Sequence, residues 1–267
     1  LTGCSLLPGQ DPDVTPSDQA GPVATASASA ARSPAPSATA EPTVPTFTAS
    51  AFPSIVVPSS DTTEKGLRVS QTTIRGRSSS ASWAIAIPVF SGAPVAKGVN
   101  RRVRAAANDL IAQVRREAKD DAGVKRTLTG EGAVVTNDGR TVQVTIIFID
   151  SLAGTAHPAN AVTTTVVDVG RARPVLLGQV IQNPPEGLRL LKAEVIKAAK
   201  KKGEPVDPAG LAPKLTNWAN WQTTPDGMTF YFDDYQLGGY GLRRYTVPWR
   251  SARLALSEYG ETLLAPR

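Results

Sequence analysis

The sequence holds one cysteine, Cys4, and one histidine, His157, in 267 residues. A lone cysteine excludes a disulfide within the chain, and with one imidazole no zinc-type ligand spacing can be assembled. No run of about 18 uninterrupted apolar residues occurs, so no segment reads as a membrane-spanning helix. A Gly-x-Ser-x-Gly elbow, a phosphate-cradling glycine loop and an EF-hand loop are also missing, and no cofactor is expected.

What is present is unevenly distributed. Of the forty residues 21–60, thirty are Ala, Ser, Thr or Pro. Such a stretch cannot bury enough apolar surface to offset its ordering entropy, so residues 5–65 read as a disordered tether and folding is expected from Gly66. Residues 1–65 carry six acids and two bases, net −4, while the remainder carries 17 acids and 27 bases, net +10. A basic folded domain favours anionic partners such as lipid headgroups or wall polymers.

The chain opens Leu1-Thr2-Gly3-Cys4-Ser5. A branched apolar residue, two small residues and a cysteine resemble a bacterial lipobox, the motif of residues 1–4. The resemblance implies an export signal, lipidation of the Cys4 thiol, and cleavage that leaves Cys4 as the mature N-terminus. Two or more acyl chains contribute on the order of 0.8 kcal/mol per buried CH₂, enough for stable anchoring. The tether of about 60 residues spans roughly 40–50 Å by flexible-chain scaling. The expected location is the extracytoplasmic face of the cell membrane, with the domain of residues 66–267 held out toward the wall. Nucleic acid is not an expected partner there.

Within that domain, residues 67–75, 81–90, 125–136, 141–149 and 161–169 read as strands, with Asp138-Gly139 turning the third into the fourth. Val142, Val144, Ile146 and Phe148 share one strand face. Between the second and third strands, Val99, Val103, Ala106, Ala107, Leu110, Ile111 and Val114 recur at helical spacing, which predicts an amphipathic helix over 95–119 with its arginines mostly off the apolar face. A helix from Pro184-Pro185 to about 201 ends in Lys200-Lys201-Lys202-Gly203, cations and then a glycine stop. Asp207 and Pro208 predict a shorter helix over 207–220. Pro225-Asp226-Gly227 turns into a strand ending at Phe232, and a last strand covers 244–248. The order predicts an α+β fold, a largely antiparallel sheet with helices on one face.

His157 is the one residue suited to general-base catalysis, with Asp150 as its orienting acid and Ser151 as a nearby nucleophile. Sequence neighbours rarely build a triad, so a structural loop histidine is the favoured reading, and a non-enzymatic domain with it. Asp233-Asp234 has no calcium loop around it and reads as a turn. Ten of the fifteen aromatic residues lie between Trp218 and Tyr259, interleaved with Arg243, Arg244 and Arg250. They fill a core or present stacking surfaces to sugars or a protein.

Two stretches carry a family resemblance: DSLAGTAHPANA over 150–161, and TPDGMTFYFDDYQLGGYGLRRYTVPWR over 224–250. A Gly-x-x-His-Pro loop, a DG-initiated strand of alternating aromatics, a Tyr- and Gly-rich turn and a Pro-terminated strand are similar to the C-terminal domain of RsiV-like anti-sigma factors. Related domains accompany PdaC-type deacetylases and occur in secreted mycobacterial antigens. The resemblance implies an extracytoplasmic α+β sensing or binding domain, which in the anti-sigma factors binds lysozyme. Within residues 1–267 neither a cytoplasmic anti-sigma segment nor a spanning helix is read. Its basic domain repels lysozyme, itself basic, unless Asp233 and Asp234 form the contact. The expected contact surfaces are the loop 153–160, with His157, and the turn 233–244, with Asp233, Asp234, Tyr235, Tyr240, Arg243 and Arg244. A wall polymer or an envelope protein is the expected ligand. Two other readings remain, a wall hydrolase or esterase using His157, and an electrostatic tether to anionic wall polymers through the Arg101–Arg116 face and Lys200–Lys202.

Overall fold

Alternation of apolar side chains organises the first half of the domain. The computed structural model describes residues 67–120 and 124–266. Cys4, its motif and the tether of residues 5–65 lie outside the described residues. Strands β1 (Arg68–Arg77), β2 (Ala81–Ser91), β3 (Arg126–Asn137), β4 (Thr141–Leu152), β5 (Ala159–Asp168) and β6 (Arg173–Pro174) form one sheet in sequence order. All neighbours are antiparallel except β2 and β3. Helix α1 (Ala96–Asp120) makes that parallel pair possible, because parallel neighbours need a long crossover.

The α1 face expected from the sequence is the one that packs: Val99, Val103, Ala107, Ile111 and Val114 are buried against Ile85, Ile87, Leu128 and the even-numbered face of β4. Val142, Val144, Ile146 and Phe148 are each at most 1% exposed. Burial of each contributes roughly 1.5–3 kcal/mol.

The chain then forms α2 (Leu177–Val180) and α3 (Pro184–Lys202), which stops at Gly203 in the left-handed region, φ 71°, as expected. A second, three-stranded antiparallel sheet follows: β7 (Trp221–Thr224), β8 (Gly227–Phe232) and β9 (Arg243–Pro248). Its strands, α3, and two C-terminal helices that the sequence reading did not anticipate, α4 (Trp249–Ala252) and α5 (Glu258–Leu264), enclose a second core. Trp218 sits at its centre, edge-on to Phe230 and Phe232 at 5.1 and 5.7 Å between centroids.

The helix expected over 207–220 does not form. Asp207 caps locally, its carboxylate accepting from Ala209 N–H at 2.8 Å, but only a single 3-10 turn, Leu215–Trp218, follows. Pro213 lacks a donor. Gly210 also passes so close to the next loop that a Cβ there would lie 1.8 Å from the Gln236 carbonyl oxygen.

The odd-numbered face of β4 is buried too, although it carries Thr141, Gln143 and Thr145. The second sheet packs on it through paired polar groups. Gln143 donates from Nε2 to Thr223 Oγ1 at 2.6 Å and accepts from Thr223 N–H at 2.7 Å. Thr145 donates to Gln222, which donates in turn to the Tyr231 hydroxyl. Among the described residues every buried side-chain nitrogen and oxygen has a partner, which a buried polar layer requires.

Candidate functional site

Strand β5 has β4 along one edge, while on the other β6 covers only Val167 and Asp168. The N–H groups of Asn160, Val162 and Thr164 point to this open edge, and three side chains receive them. Asp234 accepts from Asn160 N–H at 2.7 Å, Asp233 from Val162 N–H at 2.9 Å, and Asn220 from Thr164 N–H at 3.3 Å. These acceptors take the place of a missing strand and seat the second sheet on the first.

Asp233 and Asp234 are thereby turned inward. Asp234 also accepts from Asn160 Nδ2 at 3.0 Å and from Gly241 N–H at 3.0 Å. Burial raises the Asp233 carboxyl above its ordinary range, opposed by the Val162 hydrogen bond and reinforced by the charge of Asp234. A raised folded-state value means that the fold favours the protonated form. Stability therefore falls as pH rises from the ordinary carboxylate value through the raised one. Asp233→Asn keeps an oxygen for Val162 N–H and removes the ionisation. In denaturant unfolding at pH 4 and pH 7, the variant is expected to gain on the native chain at the higher pH. A native advantage that grows with pH contradicts this assignment.

This clamp brings together the two loops singled out in the sequence. His157 and Tyr240 stack with centroids 4.1 Å apart and planes 43° apart; Tyr235 lies 6.3 Å from His157 and 6.1 Å from Tyr240. His157 Nδ1 lies 3.2 Å from the Pro158 carbonyl oxygen, which only accepts, so in the neutral ring Nδ1 carries the proton. Nε2 then accepts from the Tyr235 hydroxyl at 3.0 Å. The Tyr240 oxygen accepts from Asn160 Nδ2 at 3.0 Å, which leaves its own proton free to donate outward. Tyr235 and Tyr240 are 57% and 46% exposed, and His157 is exposed.

Tyr235 occupies the left-handed region, φ 63°, which costs a non-glycine residue about 1–2 kcal/mol. The turn holds it there through Tyr235 N–H to Gly239 O at 3.1 Å and Gly238 N–H to Tyr235 O at 3.0 Å. Arg243 braces the same turn, donating to the carbonyls of Gly238, at 2.6 Å, and Pro205. Arg244, opposite Tyr231 in the β8–β9 register, is exposed and its charge acts on the buried Tyr231 hydroxyl. Burial raises the pKa of the Tyr231 hydroxyl above its ordinary value, and Arg244 opposes that shift.

The candidate triad does not assemble. Asp150 is held by Arg126, whose Nε lies 2.9 Å from both carboxylate oxygens, and Arg126 also pairs with Glu117. Among the described residues no group of three or more His, Cys, Asp or Glu is placed to hold a metal. The residues that sequence reasoning missed are Asn160, which ties Asp234 and Tyr240 to the β5 edge, and Asn220, which accepts from Thr164 N–H on that edge. Asn160, three positions after His157, carried the only local signal. A groove of about 550 Å³ between α1, β5 and the segment Pro174–Gly178 shares no residue with the three rings.

No family model and no curated protein matches the sequence. Solved structures that share its fold include two of one family. A DUF3298-family protein from Bacteroides fragilis aligns at TM-score 0.52 and 16% identity, over 74% of this chain and 97% of its own. A DUF3298-family protein from Pseudomonas aeruginosa PAO1 aligns at TM-score 0.52 and 13% identity, over 75% of this chain and 98% of its own.

Proposed function

We propose that this chain is a lipid-anchored, extracytoplasmic binding domain of the bacterial envelope. Its recognition surface is the exposed face formed by His157, Tyr235 and Tyr240. It acts without catalysis, on a wall polymer or an envelope protein. One observation carries the reading. Two loops about 80 residues apart in sequence converge to hold three rings outward while every polar group beneath them is paired. Rigid, exposed aromatic groups with polar tips are the usual anchors of recognition surfaces, because they bury much area at little entropic cost.

The resemblance to RsiV-like domains supports a role outside the cytoplasm, and the Leu1–Cys4 motif supports the anchor. Lysozyme is a poor candidate partner on charge. Asp233 and Asp234, the acids that would meet it, direct their carboxylates into the β5 edge.

The test is retention of the full chain on purified wall fragments and envelope extract at low and high salt. Retention at high salt is expected, with His157→Ala weakening it and no bond cleaved in the retained material. Turnover that disappears in a folded His157→Ala variant would establish a hydrolase instead. For the anchor, cells fed labelled palmitate are expected to label the native chain and not Cys4→Ser. Equal labelling of both contradicts acylation at Cys4.

A further inference from the structure

The solvent side of α1 carries a second chemical feature, independent of the aromatic surface. Lys97, Arg101, Arg104, Arg115 and Lys119 are all exposed. Their spacings of three, four and eleven residues place them along one flank of the helix, a row about 33 Å long at about 1.5 Å rise per residue. The only other polar residue within that row is the neutral Asn108, and the acids of the helix, Asp109, Glu117 and Asp120, occupy positions on the opposite flank. Glu117 is paired there with Arg126. Among the described residues, none of the five cations takes part in an ion pair. Arg115 is laid over the Trp83 ring, 5.5 Å from its centroid, which orients its guanidinium.

Five unneutralised cations in single file are costly to assemble without a partner, since like charges on neighbouring turns repel. We infer that this ridge of α1 binds a linear polyphosphate chain rather than a nucleic acid, laid along the helix with its phosphates on successive cations. The shape argues for a single chain rather than a lipid surface. An interfacial helix presents apolar residues to the bilayer, but the apolar face of α1 is spent on the sheet and no large exposed apolar residue lies on the helix. Lys200–Lys202, the other basic cluster, is built differently: Lys202 lies over the Tyr245 ring and donates to the Arg244 carbonyl at 3.2 Å.

The probe is labelled inorganic polyphosphate, titrated against the full chain by fluorescence anisotropy. Neutralising five phosphates of a single strand gives a slope of log affinity on log salt of roughly −3.5, about a 100-fold loss between about 50 and 200 mM salt. Arg101→Gln with Arg104→Gln is expected to weaken binding about 10-fold or more at low salt and to flatten the slope by roughly 1.4. Lys200→Gln with Lys201→Gln, the same change in net charge elsewhere, is expected to leave both nearly unchanged. Thermal melting of both variants reports whether the fold is intact. Equal losses in the two double variants would show a diffuse charge effect and overturn the ridge. So would absence of polyphosphate binding at low salt, tighter binding to anionic phospholipid vesicles, or a preference for single-stranded DNA over polyphosphate.

Discussion

Replacing Asp234 by alanine is expected to destabilise the protein by about 3 kcal/mol, with Tm lowered by roughly 6–12 °C. The carboxylate accepts three hydrogen bonds, two of them from backbone N–H groups, and Asn160 beneath it is only 9% exposed. Truncation leaves those donors without partners at the seam between the two sheets, and such orphans cost about 1–3 kcal/mol each, offset where water can enter. The damage also reaches the surface, because Asn160 orients the Tyr240 hydroxyl. Asp234→Asn keeps one acceptor oxygen and is expected to lose about half as much. Chemical denaturation of the three chains at pH 7 measures the series. An alanine variant as stable as the native chain would mean that the clamp carries no stability.

The second large effect falls on recognition with little change in stability. Tyr235→Asn combined with Tyr240→Ser is expected to weaken retention on envelope material about 100-fold. Central interface aromatics contribute about 2 kcal/mol each, and neighbouring rings couple, so the pair sums to less than two independent losses. Asparagine is chosen at 235 because it tolerates the left-handed backbone that a tyrosine adopts there under strain. The variant is therefore expected to melt within a few degrees of the native chain. Lost retention together with a collapsed melting transition would point to folding instead, and the single variants then separate the two.

The even face of β4 and the inner face of α1 were legible because burial against one partner writes a simple period into the sequence. The odd face of β4 was not. Thr141, Gln143 and Thr145 follow the alternation of a solvated face, yet their partners Thr223 and Gln222 lie about 80 residues on, and nothing local announces a polar seam. Asp233-Asp234 likewise looks like an acidic turn until Asn160 and Val162, more than 70 residues away, supply the donors. At 207–220 the capping signal was correct and acted locally, but Pro213 and the close approach at Gly210 prevented propagation. For the candidate site, each loop was visible in sequence on its own. Their convergence depends on the unpaired edge of β5, a property of strand order that no short motif encodes.

The most direct test is amide hydrogen exchange of the full chain with and without saturating purified envelope ligand. Protection is expected in residues 153–160 and 233–241, the loops that carry His157, Tyr235 and Tyr240. Unchanged exchange in both loops, with protection confined to other surfaces, would contradict the assignment of the three-ring face as the recognition surface.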